Sequence, residues 1–284
     1  MPLPQAVQKQ VEAILESPLE RADPVAGGDI NQAWSLTGRT GERFFLKHHA
    51  SPPPGLFDAE AHGLEAIART GTLPVPGVIA VGEHFLLLEL IETGHPQDGF
   101  WQAFGEALAA LHRHGRESFG FDGDNYIGLT PQPNPDSTDG HAFFAEHRLR
   151  HQGRLALERG LLDSGEMTGL ERVIDRLPEL VPKQPPSLIH GDLWSGNFLC
   201  NRNGEPVLID PAAHYGWAEA ELAFTTLFGG FSEAFYRAYE AASEIAPDWR
   251  DRCDIYNLYH LLNHLNLFGG GYRGSVRRIL ARYG

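Results

Sequence analysis

Asp192 and Asn197 stand five positions apart in His190-Gly191-Asp192-Leu193-Trp194-Ser195-Gly196-Asn197, and Asp210 closes the apolar run Val207-Leu208-Ile209. A carboxylate within hydrogen-bond reach of a hydroxyl can take its proton. A side-chain amide and a second carboxylate offer oxygen ligands, which Mg²⁺ requires as a hard cation. In this order and spacing the three residues equip a site to move a phosphoryl group from a nucleotide to an alcohol. Singly, each has a plainer explanation, His-Gly-Asp as a surface turn and Asp-Pro as the cap of a strand. Together they single out Asp192 as base and Asn197 and Asp210 as magnesium ligands.

Several elements must position them. Phe198-Leu199-Cys200 and Val207-Leu208-Ile209 read as strands joined across Asn203-Gly204, a hairpin signal. Such a hairpin folds Asp210 back beside Asn197. Upstream, Val25 to Leu36 reads as a strand, a Gly27-Gly28 turn and a return strand, with a second turn at Gly38 to Gly41 and a third strand over Arg43 to Lys47. Backbone N–H groups in a glycine turn can approach phosphates, which makes Gly27 and Gly28 candidate nucleotide contacts. Of 23 basic residues only Lys9, Lys47 and Lys183 are lysine, and Lys47 ends the strand after that turn. A lysine there can pair nucleotide phosphates and a helix glutamate. Residues 56–69 form an amphipathic helix carrying Glu60 and Glu65, of which Glu60, early in the helix, is the preferred partner. Val78 to Val81 reads as a fourth strand, Phe85 to Ile91 is almost continuously apolar, as a buried strand is, and Glu89, Leu90 and Ile91 at its end form a hinge whose backbone can read adenine.

Beyond Pro96 the pattern turns helical, with Phe100, Phe104, Leu108 and Leu111 at three- and four-residue steps. Residues 120–140 read as a long loop, and helices are expected over 4–17, 141–161, 165–180, 218–228, 232–242, 251–268 and 274–283. Five strands with one helix, then a mainly helical remainder, describe an α+β protein of two lobes, residues 1–91 and 92–284. Two decoys fall away. Gly269-Gly270-Gly271-Tyr272-Arg273-Gly274 matches a dinucleotide fingerprint but follows a helix, not a strand. His260 and His264 share a helix face but have no evident third zinc ligand.

The net charge of −14 argues against nucleic acid or an anionic membrane as partner, while leaving room for ATP and for a cationic substrate. No apolar run approaches a membrane span, no export signal opens the chain, and Cys200 and Cys253 make no disulfide framework; a cytoplasmic location is the expectation.

Leu188-Ile189-His190-Gly191-Asp192-Leu193-Trp194-Ser195-Gly196-Asn197 resembles the motif of the aminoglycoside and choline kinase superfamily, and its Trp-Ser-Gly is the form of the fructosamine kinase (ketosamine-3-kinase) family. Gly27-Gly28-Asp29-Ile30-Asn31, Asp210-Pro211-Ala212, Leu227-Phe228-Gly229-Gly230-Phe231 and Leu258 to Gly269 agree with that family, so the resemblance runs from about residue 5 to 282. It implies a protein-kinase-like fold with ATP and Mg²⁺ as cofactors. It implies phosphorylation of the 3-hydroxyl of ketosamines, small or on glycated proteins, as a deglycation repair. It also makes Lys47 and Glu60 an ion pair and Trp194 and His264 substrate-side residues. A kinase for another hydroxylated amine (aminoglycoside, choline or homoserine) and a nucleotide-binding pseudokinase are the competing readings. Position 29 is Asp where many eukaryotic relatives carry a redox-switching cysteine, so thiol-controlled dimerisation is not expected. Trp217 and Glu221 also depart from the residues common in relatives.

Overall fold

Phe85 to Leu88 are all buried because both faces of their strand are covered. In the computed structural model, which describes residues 2–26 and 30–284, this strand is β5 (Phe85–Glu89). It lies inside an antiparallel five-stranded sheet with β1 (Leu19–Val25), β2 (Gln32–Gly38), β3 (Arg43–His48) and β4 (Val78–Gly82), in the order β1-β2-β3-β5-β4. Phe85 and Leu87 join Trp34, Leu36 and Leu46 under α1 (Gln5–Ile14), through its Val7 and Val11. Leu86 and Leu88 face the other way, onto Leu56, Phe57, Ala61 and Leu64 of α2 (Leu56–Ala68). Side chains alternate along a strand, so with Leu46 on the α1 side, Lys47 emerges on the α2 side.

The remaining chain is mainly helical. In order come α3 (Phe100–His112), a hairpin of β6 (Asn125–Ile127) and β7 (Thr130–Gln132), α4 (Gly140–Phe144), α5 (His151–Glu158), α6 (Ser164–Asp175) and α7 (Leu177–Leu180). Then follow β8 (Ser187–Ile189), β9 (Phe198–Cys200), β10 (Pro206–Leu208) and β11 (His214–Gly216), with β9 paired to β10 and β8 to β11. The chain ends with α8 (Ala218–Leu227), α9 (Glu233–Ala242), α10 (Cys253–Phe268) and α11 (Arg273–Tyr283). One apolar core gathers α4 to α8, α10 and α11, and a second gathers α3, α9 and the β8 region.

The fold class is the expected one, but several boundaries moved. β1 begins at Leu19, because an edge strand with mixed burial carries no alternating pattern to read. The expected loop at 120–140 contains the short β6–β7 hairpin. The expected helix at 141–161 is interrupted by a π-helical turn, Ala145–Arg150, which sends Arg148 into the interior. The expected helix at 165–180 divides because Pro178 has no N–H to continue α6 and instead opens α7. Among the described residues no helix is long and apolar enough to cross a membrane.

Candidate active site

The catalytic-loop stretch and the segment around Asp210 are held together by backbone. The β9–β10 ladder ends with Leu208 opposite Phe198, and the Ile209 N–H continues it onto the Asn197 carbonyl at 3.0 Å. The Ala212 N–H reaches the His190 carbonyl at 2.9 Å. Gly191 has φ +83°, and a Cβ there would lie 2.2 Å from the Ala212 carbonyl oxygen, so only glycine fits this crossing. His190 is fully buried; its Nε2 donates to the Ile209 carbonyl at 2.8 Å and its Nδ1 accepts the Asp192 N–H at 3.2 Å. One imidazole tautomer satisfies both bonds and ties the two halves of the site together.

Lys47 and Glu60 meet at 2.7 and 2.9 Å, and the same Lys47 Nζ lies 2.9 Å from Asp210 Oδ1. The ammonium is buried. Burial disfavours its charge, but the carboxylates of Asp210 and Glu60 outweigh that and hold it protonated. α2 can approach this closely because position 63 is glycine: a Cβ there would stand 3.2 Å from Pro211 Cγ and 3.4 Å from Ala213 Cβ. Asp210 sits at φ 57°, a left-handed conformation that aspartate tolerates better than most residues. Its side chain is 43% exposed, against 7% for Lys47, so it faces the cleft.

Asn197 Nδ2 donates to the Asp192 carbonyl at 2.8 Å and to Asp192 Oδ2 at 3.0 Å. With its amide nitrogen committed, Asn197 keeps Oδ1 as a donor atom for a cation. Asp192 is pushed well above the usual carboxylate range, first by burial and then by the charge of Asp210, with the Asn197 hydrogen bond opposing. Among the described residues no group of three or more His, Cys, Asp or Glu is placed to hold a metal. Asn197 Oδ1 and the Asp210 carboxylate nevertheless fit Mg²⁺, which takes one or two protein oxygens and completes its shell with phosphates and water.

Beneath the loop lies a network that spacing alone did not reveal as a support. Glu221, on α8, is wholly buried; Oε1 accepts the Gly191 N–H at 2.7 Å and Oε2 the His190 N–H at 3.1 Å. His112 Nε2, from α3, donates to Oε2 at 2.8 Å, and His112 Nδ1 is hydrogen-bonded to the Tyr239 hydroxyl of α9 at 2.7 Å. Burial works against the Glu221 carboxylate, but His112 and the loop amide outweigh it and hold the group below its ordinary range. Trp217 is 3% exposed and lines a small cavity of about 30 Å³ with Gly191 and Leu193.

Trp194 is half-buried with its ring folded over Gly196, and it meets Phe228 edge-on at 5.9 Å between centroids. Phe228 in turn lies 5.1 Å from His264, so Trp194 and His264 flank one aromatic ring. His264 Nδ1 donates to the His260 carbonyl at 2.8 Å, and burial lowers the imidazole's pKa. The neutral ring therefore presents Nε2 as an acceptor, suited to a hydroxyl or ammonium rather than a carbonyl.

Glu89 closes β5 opposite Phe44, and Leu90 and Ile91, half-buried, leave the sheet without regular structure before Thr93 bridges Asn201. Gly27, Gly28 and Asp29 lie outside the described residues; the chain resumes at Ile30, whose Cδ1 packs close to Gly128. Cys200 and Cys253 are free thiols, and burial pushes Cys253 up to about 11.

This arrangement joins a fixed ammonium, the side-chain oxygens of Asn197 and Asp210 on two segments linked by a backbone hydrogen bond, and the half-buried Asp192 carboxylate beside an aromatic wall. Comparison with known proteins then gives the family. The fructosamine kinase family model matches residues 3–283. The chain belongs to the fructosamine kinase family. It is 42% identical to a Synechocystis protein named probable ketoamine kinase, over 97% of this chain and 95% of that one. It is 40% identical to the chloroplastic protein-ribulosamine 3-kinase of Arabidopsis thaliana, over 91% of this chain and 81% of that one. A crystal structure from Thermobifida fusca, assigned as a fructosamine-3-kinase, superposes with a TM-score of 0.90 at 34% identity, covering 99% of this chain and 100% of that one. An aminoglycoside phosphotransferase at 17% identity and TM-score 0.64 shares the protein-kinase-like fold.

Proposed function

We propose that this protein uses ATP to phosphorylate the 3-hydroxyl of ketosamines, fructosamine or ribulosamine adducts free or on glycated proteins, as a step in deglycation. The observation that carries the reading is the meeting of Lys47, Glu60 and Asp210 in one cleft with Asp192 and Asn197, on a chain of this family. The related proteins named ketoamine kinase and protein-ribulosamine 3-kinase support the substrate class.

Each residue then has a task. Lys47, oriented by Glu60, neutralises phosphate oxygens of the nucleotide, and the backbone of Gly27 and Gly28 approaches the same phosphates. Glu89, Leu90 and Ile91 form the adenine-reading hinge, and we place the division between the lobes after Ile91. Asn197 and Asp210 hold Mg²⁺, which when bound offsets charge on the transferring group. Asp192 accepts the proton of the sugar hydroxyl; its raised affinity for a proton in the free protein suits a base, provided neighbouring cations restore the carboxylate in the loaded cleft. Trp194 covers a sugar face, and His264 Nε2 accepts from a hydroxyl or from the ketosamine ammonium.

An ADP-release assay across ribulosamine, fructosamine, kanamycin and choline tests this. Turnover of a ketosamine well above the other two is expected. Should kanamycin or choline outperform every ketosamine, the substrate assignment fails and the phosphotransferase assignment survives.

A further inference from the structure

Two phenylalanines on this molecule are exposed without an obvious structural reason. Among the described residues six large hydrophobic side chains are exposed, and the only aromatic ones are Phe228 at 41% and Phe268 at 48%. They are not scattered. Phe228 lies between Trp194 and His264, and His264 lies 5.5 Å from Phe268 and 5.1 Å from Tyr272, with Phe268 and Tyr272 6.4 Å apart. The five rings make a continuous strip that starts on the catalytic loop and runs outward along the end of α10.

Local backbone builds the strip. Phe228 caps α8, and Gly229 and Gly230 follow at φ +72° and +95°. A Cβ on Gly230 would lie 2.6 Å from Ser195 Cβ, so this turn is pressed against the catalytic loop and carries Phe228 to Trp194. Gly269, at φ +86°, stops α10 and turns the chain so that Tyr272 comes back onto His264 and Phe268. The end of α10 lies beside the segment that leads into β2: a Cβ on Gly128 would come within 2.9 Å of both Leu267 Cδ1 and Ile30 Cδ1.

We infer that Phe228, Phe268 and Tyr272 form a subsite for the amine-derived part of the substrate, selecting ketosamines whose nitrogen bears an apolar or aromatic chain. This rests on the ketosamine reading above. The sugar end is taken by groups at Asp192 and Trp194, so the nitrogen and its carrier must leave the site along a continuous surface. The strip is that surface, and its chemistry fits. A ketosamine nitrogen is a secondary ammonium, which ring faces attract and the His264 Nε2 lone pair accepts from. Beyond it, Phe268 and Tyr272 offer apolar area and no charge, matching a hydrocarbon or aromatic chain rather than an acidic one.

The test compares fructosamines made from methylamine and from benzylamine, or the corresponding ribulosamines if those are the better substrates. Wild type should favour the benzylamine adduct by about 10-fold or more in kcat/KM. That ratio should fall toward one in Phe228→Ala and Phe268→Ala, mostly through KM, while Phe268→Tyr keeps it. Both phenylalanines are exposed, and melting curves matching wild type will verify the fold. A wild-type ratio near one, or a ratio that neither alanine variant changes, overturns the subsite while leaving the ketosamine activity standing. Failure of wild type on both adducts overturns the ketosamine reading and this inference with it.

Discussion

Two polar clusters flank the 190–197 loop, one wholly buried and one open to the cleft, and they are built to opposite ends. Beneath the loop, Glu221 accepts from His190, Gly191 and His112, and His112 is bonded again to Tyr239, so every polar atom there is matched within the protein. Above the loop, the carboxylates of Asp210 and Glu60 share Lys47, and the Asp192 carboxylate has only the Asn197 amide. Asp210 is strained and exposed to the cleft, and Asp192 holds its proton unusually tightly. The lower cluster supplies rigidity. The upper one carries an excess of negative charge that cationic ligands would balance, so function there is set against stability.

The sharpest way to break this contrast is Asp192→Asn. Loss of the proposed base should lower kcat by ~10²–10⁴. The same change removes a carboxyl group whose ionisation burial and Asp210 oppose and keeps an oxygen to accept from Asn197, so the free protein should melt higher, by roughly 1 kcal/mol of added stability. Steady-state kinetics and calorimetry read the two effects. Near wild-type turnover would remove Asp192 from the base role, and a lower melting point would deny that the upper cluster is strained.

Asp210→Ala should follow in size. It takes away the anionic member of the proposed metal site, whereas Asn197→Ala takes the neutral one, so Mg-nucleotide affinity should fall further in the first, by about 10-fold or more. Titration calorimetry with Mg-ATP decides it; equal, unimpaired affinities would count against the metal site.

The lower cluster should respond in the other currency. Glu221→Gln turns an amide N–H toward backbone N–H groups that require acceptors, at a cost of about 2–4 kcal/mol in a site this buried. Melting temperature should drop by several degrees, while kcat falls by less than in Asp192→Asn. A variant as stable as wild type would show that the loop does not depend on Glu221.

How far the sequence reached tracks the same division. The upper cluster was legible because its chemistry restricts residue type: few alternatives to Asp, Asn and Lys exist at those spacings, and Lys47 is one of only three lysines. The lower cluster was not. Glu221 and His112 are 109 positions apart and meet only because α3 and α8 pack around β8, which no local period announces. Glu221 registered as a departure from relatives, without a partner to explain it. The π turn at Ala145–Arg150 was hidden for a related reason, since its apolar spacing is close to that of an α-helix and only the burial of Arg148 betrays it. The aromatic strip fell between the two. Trp194 and His264 were singled out, but the ring that joins them, Phe228, was placed by a glycine turn whose fold the sequence did not specify.

On the substrate side, Trp194→Ala and His264→Ala should each lower kcat/KM for a ketosamine by on the order of 10-fold, or about 1.4 kcal/mol, with KM for ATP barely changed. Full ketosamine activity in both variants would separate the aromatic wall from the sugar site.

The smallest expected effect is a pH dependence of stability, and its sign follows from buried histidines. Burial holds His214 and His260 neutral, well below their ordinary range. Above pH ~6.5 neither folded nor unfolded chain protonates them, so they contribute no slope. As pH falls through ~6.5 the unfolded chain binds protons that the folded chain refuses, and stability declines until the lowered folded values are reached. Each histidine adds up to about 1.4 kcal/mol per pH unit in that window. Asp192 works in the opposite sense, because burial lets the folded chain bind its proton more readily than the unfolded one. Melting curves between pH 7.5 and 5.5 should therefore shift downward on acidification, and Asp192→Asn should steepen the decline by removing the opposing group. Replacing His214 and His260 together by Asn should flatten it, whatever the variant's absolute melting point. A wild-type melting point that rises toward pH 5.5 would mean that the carboxylates above the loop outweigh the histidines below it.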